Sequence, residues 1–205
     1  MKLLQRRIQQ AARDSRVQQL IVERDYAQSY VLFGIANQAA LRETLVFKGG
    51  TALKKIHFKT YRFSEDLDFS AIDGPKGTVL ERAIRAAIDT AQSTARAFAP
   101  VTMVVERYEE RAPHPGGQET FIVRIQFPWQ QQPLVPVKIE ISHDEPVLLP
   151  APLMPVVHGY GETFEAMIRT YRLEEVCAEK LRSTRQTQAK RAARALGSPA
   201  WARLL

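Results

Sequence analysis

The chain has 205 residues, 45% of them hydrophobic, which suits one globular domain with a sizeable core and a helical appendage. No apolar run approaches the roughly 20 residues that span a bilayer, which argues against a membrane partner, and the single cysteine, Cys177, excludes an internal disulfide. The net charge of +7 would suggest a nucleic-acid partner, but Arg182, Arg185, Lys190, Arg191, Arg194 and Arg203 supply most of it from a stretch without acids, so charge alone carries no RNA-binding claim.

The N-terminal "MKLLQRRIQQAARDSR" is too charged for a signal peptide, and a cytoplasmic location is the default expectation. Residues 3 to 42 read as helices, with Leu4, Ile8, Ala11 and Ala12, then Tyr26, Tyr30, Phe33, Ile35 and Ala36, at helical spacing. "TLVFKGG" is a short β-run stopped by glycines, and "TALKKIHF" a short helix. "SEDLDFSA" alternates, with Leu67 and Phe69 on one face and Asp66 and Asp68 on the other. After the turn "DGPKG", Thr78 is expected to cap a helix through about Phe98, with Leu80, Ile84, Ala87, Ile88 and Ala91 inward. "VTMVVERYEE", "TFIVRIQFPW" and "VPVKIEIS" read as strands, the first two joined by the hairpin loop "RAPHPGGQE". "EPVLLPAPLMPVV" is expected to be irregular, "TFEAMIRTYRL" to hold a strand, and a helix to begin near Glu174. The order predicts an α+β fold: a small mixed sheet flanked by helices. Residues 1–43 form N-terminal helices packed on the core, 44–172 the core, and 173–205 a C-terminal helix and basic tail.

Asp66 and Asp68 at i and i+2 on a strand leave the same face, an arrangement that is costly unless something shares their charge. Two such carboxylates can chelate divalent cations, and a metal pair can clamp the attacking and leaving oxygens of a phosphoryl transfer. "VPVKIEIS" offers a third acid, Glu140, on the face opposite Val137, Ile139 and Ile141. Gly49, Gly50 and Thr51 lie between a strand and a helix, where backbone N–H groups can hold a phosphate; the Thr51 hydroxyl can cap the helix or touch a phosphate oxygen. Each element alone has a bland reading: a solvated D-x-D turn, an ordinary helix start, an exposed strand acid. Their conjunction is the layout of the polymerase-β-like nucleotidyltransferases.

The stretch from "VERDYAQSY" to "RFSEDLDFS" resembles the AbiEii toxin family of nucleotidyltransferases, and "FKGGTALKK" followed by "RFSEDLDF" is close to a signature for it. The resemblance covers roughly residues 20 to 182. It implies nucleotide-binding roles for Gly49, Gly50, Thr51, Arg62 and Lys138. It also implies a catalytic role for Lys180 in "EEVCAEKLR", and metal-binding, catalytic roles for Asp66, Asp68 and Glu140. It further implies a polymerase-β-like fold, Mg²⁺ or Mn²⁺ as cofactor, a nucleoside triphosphate (NTP) substrate and a toxin–antitoxin or phage-defence setting with a cognate antitoxin. The tRNA 3′ end is the first acceptor expected.

Lys180 also stands out on a helical wheel, inside the apolar stripe of Leu173, Val176, Cys177 and Leu181; it must snorkel out or meet an anion. Cys177, on that stripe, is expected in the core. Arg62 either pairs with Glu65 or Asp66 or touches substrate, and Lys48 and Lys54 read as solvated flanks of the glycine turn. His57, His114, His143 and His158 lack metal-site spacing, so no zinc is expected. Where the family carries a further acidic motif resembling "RDxYDL", this chain has "STRQTQAKRAARALGSPAWARLL", without Asp or Glu. Two readings follow. One is a working nucleotidyltransferase, acting on RNA, a protein or a small molecule. The other is a truncated, weakly active or inactive relative that binds nucleotide or RNA. A marginal, solvent-facing helix is expected over Thr187–Leu196, ended by Gly197-Ser198-Pro199.

Overall fold

The computed structural model describes residues 2–108, 117–163 and 165–195. Three helices lead the chain: α1 (Lys2–Ser15), α2 (Gln19–Asn37) and the short α3 (Ala39–Arg42). Strand β1 (Leu45–Lys48) runs into α4 (Gly49–Ala52), which widens into a π-helical turn (Leu53–His57), and β2 (Asp66–Ala71) follows. Then come α5 (Gly77–Arg96), β3 (Thr102–Tyr108), β4 (Gln118–Gln126), β5 (Val135–Ser142), the short pair β6 (Leu153–Pro155) and β7 (Met167–Arg169), and α6 (Leu173–Ala195). No helix among the described residues is long and apolar enough to cross a membrane.

Five strands form one mixed sheet in the order β1-β2-β5-β4-β3. Only β2 and β5 pair in parallel; every other neighbour is antiparallel. The parallel pair is possible because the whole α5–β3–β4 excursion separates β2 from β5, long enough for a crossover. Strict alternation then sorts the side chains. Leu45, Phe47, Leu67, Phe69, Phe121, Val123, Ile139 and Ile141 are buried in the one large apolar cluster, which also holds the inner faces of α1, α2 and α5. Each fully buried Phe or Ile there contributes roughly 1.5–3 kcal/mol. The opposite face carries Lys48, Asp66, Asp68, Lys138 and Glu140.

Helix α2 is buried around most of its circumference, polar Glu23, Asp25, Gln28 and Ser29 included. Those groups are tied into the core, while Asp25 Oδ1 and Gln28 Oε1 are buried without a hydrogen-bond partner among the described residues. Lys55 Nζ lies 2.7 Å from Asp25 Oδ2 and donates to Ser29 Oγ at 2.9 Å, and Tyr160 Oη donates to Asp25 Oδ2 at 2.7 Å. Gln28 Nε2 donates to the carbonyls of Ser64 and Glu65, and Arg24 pairs with Glu65 at 2.7 Å. Helix α2 therefore anchors both the π-turn and the loop entering β2.

The structure corrects several sequence expectations. Thr78 does not cap α5: the helix starts at Gly77, whose N–H is taken by the Glu119 carboxylate from β4 at 3.0 Å. The proline-rich stretch is not wholly irregular, since Leu153–Pro155 pairs with Met167–Arg169. Helix α6 runs unbroken from Leu173 to Ala195, so no separate tail helix begins at Thr187. Its expected end at Gly197-Ser198-Pro199, and most of the β3–β4 loop with His114, lie outside the described residues.

The crossing of α2 over α5 is set by Gly34. A Cβ there would meet the Ala87 carbonyl oxygen at 2.0 Å, far inside contact distance and against backbone that cannot step aside. Gly34→Ala is expected to lower stability by about 1–3 kcal/mol, read from the urea midpoint.

Candidate functional site

The sheet register builds the site. Across the parallel β2–β5 pair, Asp66 stands opposite Lys138 and Asp68 opposite Glu140; across β1–β2, Lys48 stands opposite Asp68. The three predicted acids and Lys138 therefore share one sheet face, half-buried rather than solvated. Lys138 Nζ makes a short ion pair with Glu140 Oε1, two residues along its own strand.

The glycine turn packs against this face. Gly49 has φ +75°, and a Cβ on it would lie 2.1 Å from Asp68 Oδ2, so the turn can sit beside that carboxylate only as glycine. Gly50 faces the Ser64 hydroxyl and lines the adjoining cavity. Thr51 neither caps the helix nor reaches the cavity: it is fully buried, and its Oγ1 donates to the Asp66 carbonyl at 2.6 Å. It ties α4 to β2 and so fixes the turn relative to the acids.

A cavity of about 420 Å³ opens over this corner, lined by Gly49, Gly50, Arg62, Asp68, Cys177, Lys180 and neighbours from α6. Arg62 does not pair with Glu65 or Asp66, because Arg24 takes Glu65; it is exposed and reaches the Phe63 carbonyl at 3.4 Å. Lys180 is exposed too, and among the described residues no carboxylate forms an ion pair with it or with Arg62. The cavity wall thus carries two unneutralised cations, Arg62 and Lys180, together with Asp68 and the ion-paired cluster of Glu145, Glu179 and Arg182. The apolar stripe expected on α6 does not form. Val176 is buried, but Leu181 is 68% exposed and Cys177 is exposed at the cavity wall instead of lying in the core. Helix α6 meets the domain along a narrow line, so most of that stripe has nothing to pack against.

Lys48 and Lys54 are not solvated either. Lys54 donates to the Tyr61 carbonyl at 3.0 Å and lies 4.1 Å from the Phe63 ring centroid. Lys48 is buried, in a short ion pair with Glu145 and 3.5 Å from Glu179 Oε1, while Arg182 reaches Glu145 at 3.0 Å. Glu145 and Glu179 were not marked by the sequence reading. They come from a loop and a helix far apart in the chain, and only "AEKLR" itself hinted at Glu179. Burial pushes Glu179 up to about 7, helped by its hydrogen bond to Glu145. Burial also acts to raise Glu145, but that hydrogen bond and Lys48 outweigh it and hold Glu145 below its ordinary value.

The acid face has the electrostatics of a site short of positive charge. Burial raises Asp66, with Glu140 adding to the effect and Lys138 opposing it. Burial, then Glu140 and Asp66, push Asp68 up to about 7 against the pull of Lys48. Among the described residues no three His, Cys, Asp or Glu side chains are already gathered as a metal cage. The donor set nevertheless suits a hard divalent cation: oxygen ligands only, crowded on one face, with their repulsion not cancelled by the lysines. Because Asp68 binds its proton more tightly folded than unfolded, its contribution to stability is present below about pH 4 and lost as pH rises through about 7. In metal-free buffer the melting temperature should therefore fall from about pH 4 to about pH 7 and level off above that. Asp68→Asn should remove part of that fall, leaving the share of Glu179, which is raised as well, and Mg²⁺ should counter it more in the wild type than in Asp68→Asn. A melting curve equally steep in Asp68→Asn would mean that other groups govern it.

Among curated proteins none matches the sequence at a significant level. Among solved structures the fold resembles MenT4, a nucleotidyltransferase toxin from Mycobacterium tuberculosis, with a TM-score of 0.60 and 22% sequence identity over 87% of this chain. The chain spans 59% of the length of that protein. The sequence matches the family described as nucleotidyl transferase AbiEii toxin, type IV toxin–antitoxin system, over residues 30–195, and with most of its length matched the chain belongs to that family.

Proposed function

We propose that this protein is a metal-dependent nucleotidyltransferase toxin, transferring a nucleotide from an NTP to an acceptor in a bacterial toxin–antitoxin or phage-defence system. The observation that carries the reading is the meeting of Asp66, Asp68 and Glu140 on one sheet face with a glycine turn and a cavity lined by Arg62 and Lys180. The triphosphate lies in that cavity, its anionic oxygens on the two unneutralised cations and on the backbone of Gly49 and Gly50. Asp66, Asp68 and Glu140 would hold Mg²⁺ or Mn²⁺, and the ion would supply charge that offsets what builds on the phosphoryl oxygens. Lys138, paired with Glu140, keeps that carboxylate turned along the strand.

In the transfer, an acceptor hydroxyl oxygen forms a bond to the α-phosphorus, the bond to the bridging oxygen breaks, pyrophosphate leaves, and the hydroxyl proton passes to water. The protein's share of such a step is placement and electrostatics. The tRNA 3′ end is the acceptor we favour, with a cognate antitoxin as partner and the cytoplasm as the place where NTP, tRNA and toxin meet. A second reading draws on the stretch after Lys180, which carries no acid where the family carries one: a relative that binds nucleotide or RNA without efficient transfer, or that modifies a protein or small molecule.

Incubation with each labelled NTP, Mg²⁺ and total tRNA, followed by identification of what becomes labelled, separates these outcomes. Labelled tRNA is expected; NTP binding without transfer favours the second reading. Asp66→Ala or Asp68→Ala should reduce transfer by at least about a hundredfold. Activity surviving either change, or surviving EDTA, would overturn the metal-dependent mechanism. Lys180→Ala should weaken NTP binding while leaving the melting temperature almost unchanged, since its side chain is exposed.

A further inference from the structure

We propose that Lys48 is a positioning residue of this site: through Glu145 and Glu179 it fixes helix α6, and with it Lys180, against the glycine turn and Asp68. The inference rests on the nucleotide-binding reading for what Lys180 does, but not for how α6 is held.

Lys48 ends β1, directly before Gly49 and opposite Asp68 in the ladder. It is only 8% exposed, and its ammonium is engaged by two carboxylates, so it is placed to organise protein groups and not to meet a ligand. One of those carboxylates, Glu179, immediately precedes Lys180. The rest of the α6 interface is thin. Val176 is its one buried large apolar side chain among the described residues, in a small cluster with Val46 and Tyr171. The remaining ties are polar: Glu175 accepts from the Leu148 N–H at 2.6 Å and the Leu149 N–H at 3.3 Å, and Arg182 reaches Glu145. Apolar packing on so narrow a line does not set the rotation of a helix about its axis. A buried charge pair does, because only one rotation satisfies it. Without Lys48, this corner of α6 would keep only the Glu145–Glu179 hydrogen bond, which needs a proton on one of two facing acids, and the exposed Arg182–Glu145 contact. The helix would be free to turn or lift, carrying Lys180 away from the triphosphate.

The test combines amide hydrogen exchange with NTP affinity on the full chain. Lys48→Met should speed exchange in residues 173–185 and 144–149 while leaving α2 and α5 protected. It should weaken binding of the preferred NTP about tenfold, with Lys48→Arg recovering part of the loss. If Lys48 works through Lys180, Lys48→Met combined with Lys180→Ala should bind no more weakly than Lys180→Ala alone. Unchanged exchange in α6, or losses that simply add, would overturn the proposal. Should Lys48→Met fail to fold, Glu179→Ala removes the same contact from the half-buried side and carries the same test. A wild-type protein that binds no NTP would sink the nucleotide reading. The exchange comparison would still decide whether Lys48 holds α6.

Discussion

Two like charges stand opposite each other across the only parallel pairing in the sheet. Asp68 and Glu140 occupy one register position, with Asp66 a step away on the same face. A fold chosen for stability alone would not put them there, since like charges directly opposite are destabilising and burial makes this worse. That tension, with burial first and then Glu140 and Asp66, pushes Asp68 up to about 7. The surrounding residues are arranged about it. Gly49 gives up its side chain to leave room for the Asp68 carboxylate, Thr51 fastens the turn to the Asp66 carbonyl, Lys138 pairs with Glu140, and Lys48 is drawn off to Glu145 and Glu179. Uncompensated charge of this kind is what a site has when its ligands include cations.

Much of this was legible in the sequence for a simple reason: period-2 alternation is a geometric instruction. Leu67 and Phe69 against Asp66 and Asp68, or Ile139 and Ile141 against Glu140, assign faces wherever one side is buried, and the sheet keeps that assignment throughout. The glycine turn was legible because glycine has few other uses between a strand and a helix. The failures share a different cause. The wheel argument for α6 assumed that an apolar stripe finds a core, yet the helix touches the domain along so narrow a line that Cys177 and Leu181 are left outside it. Thr51 was read through its local capping chemistry, whereas its partner lies on β2. Lys48 looked like a flanking solvated charge because Glu145 and Glu179 come beside it only through tertiary structure.

The segment from Lys48 to Lys55 shows how the site is held in place. It leaves the sheet through the glycine turn and is gripped at both ends by lysine–carboxylate contacts on opposite sides. Lys55 enters the core, meeting Asp25 and Ser29 of α2, and burial drives its ammonium below its ordinary value despite the attraction of Asp25. Lys48 points to the site face, meeting Glu145 and Glu179. Buried ion pairs of this sort add little net stability over well-packed apolar side chains, but removing one partner costs about 3–5 kcal/mol because the other is left stranded. What they supply is uniqueness of position. An apolar contact tolerates sliding, whereas a lysine with carboxylates fixed around it does not.

That distinction explains why the two sides of the glycine turn are built differently. On the core side the ion pair sits within the large apolar cluster, joined by Tyr160, so charge adds register to packing that already exists. On the site side the apolar partners shrink to Val46, Tyr171 and Val176, and charge must do nearly all of the placing. A triphosphate cavity cannot be walled by a close-packed apolar helix, because its cations have to remain available to the ligand. Helix α6 is accordingly docked by Glu175, Glu179 and the Arg182–Glu145 pair, and offers Lys180 towards the cavity. In "EEVCAEKLR", Glu179, which holds the helix down, immediately precedes Lys180, which the helix presents to the cavity.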